Sequence, residues 1–117
     1  MGMSQDTLKG RTKDFAKQII VLCRLLPHTR EGKLIGDQIF RSGTSVGANY
    51  RAACRARSRA EFIAKLGIVL EETDETLYWL EILMENQIIK PDFIITLMRE
   101  SNELISVFVA SLKSAKR

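Results

Sequence analysis

Residues 41–59 read RSGTSVGANYRAACRARSR. The first half is a run of small side chains: Ser42, Gly43, Thr44, Ser45, Gly47 and Ala48. The second half carries Arg51, Arg55, Arg57 and Arg59 with no acidic residue among them. Strong amphipathic helix lies on both sides, so a weak helix former in the middle needs a reason. Each glycine inside a helix costs roughly 1 kcal/mol relative to alanine. Two readings compete. A break in the helix would leave a ligand-binding loop, whereas an unbroken helix would carry a groove at Gly43 and Gly47, one turn apart, for a neighbouring backbone. The groove is favoured, because a phosphate loop needs Lys and then Ser or Thr after its last glycine, and Ala48 and Asn49 stand there.

The groove implies a neighbour, and the flanking sequence supplies candidates. Upstream, Leu8, Phe15, Ile19, Leu22 and Leu26 recur at helical spacing over about residues 6–26 until Pro27 stops the helix. Lys9, Arg11, Lys13 and Lys17 lie off that stripe. Thr29 is a natural N-cap for a second helix over about 30–57, with Ile35, Ile39, Val46, Tyr50 and Ala53 inward. Ser58 and Glu61 have the spacing of a capping box and open a third helix over about 59–86. Its stripe is Phe62, Leu66, Val69, Thr73, Leu77, Leu80 and Met84; Ala60, Ala64 and Gly67 are small enough to approach the glycines of the second. Trp79 falls off the stripe and should cover another subunit or a helix flank. Pro91 suits the first turn of a fourth helix over about 91–114, with Ile94, Leu97, Leu104, Phe108 and Leu112 inward. Phe93, Ile105 and Val109 widen that apolar face, which favours self-association. The expected fold is a single all-α domain, an antiparallel up-down-up-down four-helix bundle.

Composition agrees with a packed chain. Of 117 residues, 45% are hydrophobic and 27% charged, which argues against disorder. No apolar run approaches the ~18 residues that span a bilayer. The polar start lacks a signal-peptide core, so a cytoplasmic location with reduced Cys23 and Cys54 is expected. The net charge of +4 is unevenly laid out. Residues 51–65 carry five basic side chains against Glu61 alone, and residues 66–89 carry six acidic ones and no basic one.

With these elements placed, the chain resembles the four helix bundle protein family, also called the 23S ribosomal-RNA intervening-sequence protein family. The resemblance runs over about residues 13–112. It rests on RSGTSVGAN (41–49) and AEFIAKLGIVLEETDETLYWLEIL (60–83). Gln38, Arg41, Ser45 and Asn49 fall on the family pattern, as do Phe62, Lys65, Glu72, Glu75 and Trp79. The acidic residue that many members carry after the Asn is replaced here by Tyr50-Arg51-Ala52-Ala53, so any role of that carboxylate does not transfer. The resemblance implies a left-handed bundle and a ring-shaped homo-oligomer, a pentamer, with no established reaction. Related proteins bind nucleic acid, which lends weight to RNA or DNA as partner.

Little else in the sequence points to chemistry. His28 is the one histidine, the cysteines lack CxxC spacing and no Glu-x-x-His motif occurs, so neither metal nor cofactor is expected. Ser45 and Cys54 have no histidine base nearby, so no catalytic residue is assigned and no enzyme expected. Arg41 and Asn49, about two turns apart on one face, are expected with Ser45, Glu72 and Glu75 to form a structural polar network. Arg51, Arg55, Arg57, Arg59 and Lys65 are the candidate nucleic-acid-binding set, helped by the terminal lysines. Such binding would be non-specific and salt-dependent. The alternative is an oligomeric assembly or adaptor module whose partner is a protein and whose arginines serve the subunit interface.

Overall fold

The computed structural model describes residues 3–117, in four helices: α1 (Gln5–Leu25), α2 (Arg30–Cys54), α3 (Arg59–Glu85) and α4 (Pro91–Ala115). Helix starts follow from orphan amide donors finding an acceptor. Ser4, Thr29 and Ser58, all extended, accept from the amides of Thr7, Gly32 and Glu61. Pro91 opens α4 without a side-chain cap. The α2 helix ends at Cys54, whereas the sequence reading carries it to about residue 57. Ser58 must be extended to cap α3, so the residues before it make the reversal between antiparallel helices. The α3–α4 turn is a Schellman arrangement: Ile88 N–H donates to Leu83 O and Gln87 N–H to Met84 O, both at 3.2 Å, with Gln87 at φ 52°.

Neighbouring helices pack in chain order, α1 on α2, α2 on α3 and α3 on α4, and a sparser α1–α4 contact closes the bundle. The α1–α2 pairing runs antiparallel, since Gly43 lies against Ile19 and Gly47 against Thr12. The start of α3 meets the end of α4, where Arg59 donates to the carbonyls of Ala115 and Arg117. The resulting body measures 45 × 22 × 20 Å, and among the described residues no helix is long and apolar enough to cross a membrane.

The core holds the expected stripes, with Leu8, Phe15, Ile19, Leu22, Ile39, Val46, Leu66, Leu80, Leu97, Leu104 and Phe108 buried. Tyr50 packs its ring 5.8 Å from that of Phe108. Phe62, Met84 and Leu112, expected inward, are half-buried at the core's edge. Burying a hydroxyl is tolerable only when it is bonded. Thr12, Thr73 and Ser101 therefore fold back onto the carbonyls of Leu8, Val69 and Leu97, one turn earlier.

The glycine groove has a different occupant from the one expected. A Cβ at 43 would meet Ile19 Cγ1 at 2.7 Å, and one at 47 would meet the Thr12 carbonyl oxygen at 3.2 Å, so both glycines admit α1. Gly67 faces open space, while Ala60 and Ala64 are exposed. The α2–α3 seam is joined instead by polar contacts, among them Ser42 with Thr76 in the interior. Trp79 packs against the core with its ring edge-on to Tyr78 at 5.1 Å, and its buried Nε1–H has no partner among the described residues.

Candidate nucleic-acid interface

The helix 2–3 corner takes its shape from the reversal at residues 55–58. Arg51 lies in the last turn of α2, Arg55 is its C-cap, and Arg57 sits in the connection. Lys65 follows on the second turn of α3. All four line one open depression of about 410 Å³ floored by Ala48 and Ala52, with Glu61 on its wall. The Glu61 amide donates to Ser58 Oγ, and no return bond from the Glu61 carboxylate is made among the described residues. That leaves this one acid among four cations.

Arg51, Arg55, Arg57 and Lys65 make no ion pair among the described residues, unlike Arg11, Lys17 and Arg41. Arg11 donates through Nε to Glu100 at 2.7 Å and lies 3.1 Å from Glu103, tying α1 to α4. Bonding to Glu100 raises the Arg11 guanidinium further above its already high range. Arg59 stands apart from the other candidates, because its guanidinium turns to the carbonyl of Ala115 at the end of α4, where a cation also complements the helix dipole, and to that of Arg117 beyond it.

The polar set expected along α2 and α3 divides. Arg41 reaches Glu75 at 2.5 Å and Glu72 at 3.6 Å, so three of its members cross the α2–α3 seam. Ser45 and Asn49 do not join them: Ser45 Oγ donates to Arg41 O at 2.5 Å, and Asn49 Nδ2 to Ser45 O at 2.9 Å. Short polar side chains in mid-helix find the carbonyl one turn back before they can reach across. Arg41 is 54% exposed, so solvent screens its pairs and each adds little to stability.

In the sequence Lys9 and Lys13 lie off the core stripe, with nothing to set them relative to Arg51. Because Gly47 sits opposite Thr12, both lysines of α1 come to the Arg51 side of α2. The spacing of these residues from the glycines held that information, once the partner of the glycines was known.

Elsewhere, Cys23 is half-buried and its Sγ–H donates to Gly36 O at 3.6 Å; burial, then Asp37, pushes its thiol pKa up. It lines a depression of about 630 Å³ with His28 and Phe40, at the opposite end of the bundle from the basic corner.

A family model described as 23S rRNA-intervening sequence protein matches residues 7–110. The chain is also similar to a crystal structure of a protein of unknown function from the S23 ribosomal protein family of Bacteroides thetaiotaomicron. The two are 37% identical and superpose with a TM-score of 0.87 over 95% of this chain and 99% of that one. No curated protein matches it significantly.

Proposed function

We infer that this chain, which belongs to the 23S rRNA-intervening sequence protein family, is a non-enzymatic bundle that binds RNA or DNA through its basic corner. The carrying observation is the depression ringed by Arg51, Arg55, Arg57 and Lys65, whose charges are unpaired among the described residues. Cations without carboxylate partners remain available to phosphates, and each phosphate neutralised releases counterions. The fold adds to this end of the molecule, since α1 starts and α4 finishes there, bringing Lys9, Lys13, Lys113 and Lys116. Tyr50 is buried against Phe108, and among the described residues no aromatic side chain lines the depression for bases to stack on. Binding of this kind positions a phosphate backbone without reading its sequence.

The test is affinity for an RNA hairpin as a function of salt, the family's name making a 23S ribosomal RNA hairpin the first probe. Four phosphate contacts predict a roughly 50- to 150-fold loss between about 50 and about 200 mM salt. A flat response, or no binding at the lower concentration, overturns the reading.

A second reading rests on exposed apolar side chains. Leu34, Phe40, Ile68 and Tyr78 stand in solvent on α2 and α3, and the Trp79 Nε1–H lacks an acceptor among the described residues. These favour self-association, for which the family resemblance implies a pentameric ring, with a protein as ultimate partner. Arg55→Glu with Arg57→Glu separates the two. Light scattering should give an unchanged mass if the arginines serve nucleic acid and a smaller one if they serve the subunit interface.

A further inference from the structure

We propose that the groove between α1 and α2 above Gly47 is a second, two-walled seat for phosphates, continuous with the corner, and that its occupant is a strand of nucleic acid. The inference rests on the reading just given and deepens it by naming the path of the strand.

The groove encloses about 200 Å³ and is lined by Lys9, Lys13 and Ala16 of α1 and by Thr44, Gly47, Ala48 and Arg51 of α2. Its cations come from both walls. Lys9 and Lys13 are one turn apart, a like-charge spacing that costs an isolated helix roughly 0.2–0.5 kcal/mol. Neither makes an ion pair among the described residues, although the next lysine along, Lys17, lies 4.0 Å from Asp14. Two unpaired lysines facing an unpaired arginine across a cleft form an arrangement that an anion between them would relieve.

Its floor makes that approach sterically open. Ala16, Gly47 and Ala48 carry at most a methyl group, and a Cβ at 47 would crowd the Thr12 carbonyl oxygen at 3.2 Å. A phosphate can therefore settle between the lysines and Arg51 without displacing a side chain.

Continuity selects a polymer. Ala48 and Arg51 line both this groove and the corner depression. Cations thus follow α2 from the level of Thr44 to Arg55, a path of about 16 Å at the helical rise. A single phosphate would occupy one seat, whereas a phosphodiester backbone can occupy both. A linear free polyphosphate shares this chemistry, so the experiment distinguishes the two.

The probe is a fluorescein-labelled single-stranded oligouridine, with anisotropy read across a salt series. Lys9→Gln with Lys13→Gln should reduce the log–log salt slope by about 1.4, at about 0.7 per phosphate contact on a single strand. Lys33→Gln with Lys90→Gln removes the same charge at the far end and should leave the slope unchanged. Equal slopes for the two double variants overturn the inference while leaving the corner reading in place. A wild-type chain that binds neither oligouridine nor an RNA hairpin overturns both. Inorganic tripolyphosphate, added as competitor at matched phosphate concentration, should displace the oligouridine poorly; displacement as effective as that by unlabelled oligouridine overturns the strand as occupant.

Discussion

Ser42 and Thr76 meet in the interior of the α2–α3 seam, their hydroxyl oxygens 2.8 Å apart and both residues wholly buried. Thr76 Oγ1 also lies 2.8 Å from the carbonyl of Glu72 in its own helix. The pair thus couples two helices through a contact that is dry, short and directional.

Removing one partner strands the other. Thr76→Val keeps the shape of the side chain and leaves the Ser42 hydroxyl without its partner, at a cost of about 1–3 kcal/mol. Ser42→Ala costs less, about 1 kcal/mol, because Thr76 keeps its bond to Glu72. The double variant should lose less than the sum of the two. Urea denaturation of the four proteins measures this coupling.

The glycines should respond with opposite signs. Gly67→Ala introduces a methyl group into open space and should stabilise α3 by about 0.5–1 kcal/mol. Gly43→Ala gains the same propensity but drives a Cβ to within 2.7 Å of Ile19, which is fully buried and has little room to move. Overpacking costs about 1–3 kcal/mol, so the net change should be destabilising. Thermal melts of the two variants read the signs directly.

Gln87 holds a left-handed backbone at the end of α3, where glycine has no Cβ penalty. Gln87→Gly should raise stability by about 0.5–1 kcal/mol and leave the Ile88–Leu83 bond intact. The check is the urea midpoint, together with slower amide exchange at Ile88.

Alkaline stability should depend on Tyr50. Burial, with Cys54 adding to it, pushes this phenol above its ordinary range. The unfolded chain releases the proton near its ordinary value of about 10 while the native chain keeps it, so unfolding becomes easier as pH rises past that value. This contribution is intact below about pH 10 and falls above it by at most about 1.4 kcal/mol per pH unit. Tyr50→Phe keeps the ring against Phe108 and should flatten this part of the decline, measured by denaturation between about pH 8 and about pH 11.

Helix identity and the starts of α2, α3 and α4 were readable because their signals are local. Thr29, Ser58 and Pro91 each announce a start within one turn of themselves, and the structure starts a helix at all three, although of the capping box read at Ser58 and Glu61 only the Ser58 half is made among the described residues. The neighbour of Gly43 and Gly47 was not readable in the same way. Periodicity fixes the angle between the glycine flank and the Ile39–Val46–Tyr50 core face, yet a central helix has a partner on each side. Which partner takes the glycine side depends on the hand in which the bundle winds, and a pattern in one dimension does not carry that. The same uncertainty hid the meeting of Lys9 and Lys13 with Arg51. Ser45 and Asn49 failed for a different reason. Their spacing fitted a cross-helix role, but each had a carbonyl of its own helix within reach, and the nearer acceptor won.

The α1–α4 contact is the sparsest of the four that close the bundle, and Arg11 with Glu100 and Glu103 fastens it from the surface. Mechanically the molecule is therefore a scroll rather than a tube, three firm folds and one free margin held by a clasp. Under load or transient fluctuation it should unroll along that margin, exposing the inner faces of the first and last helices while the middle pair stays furled.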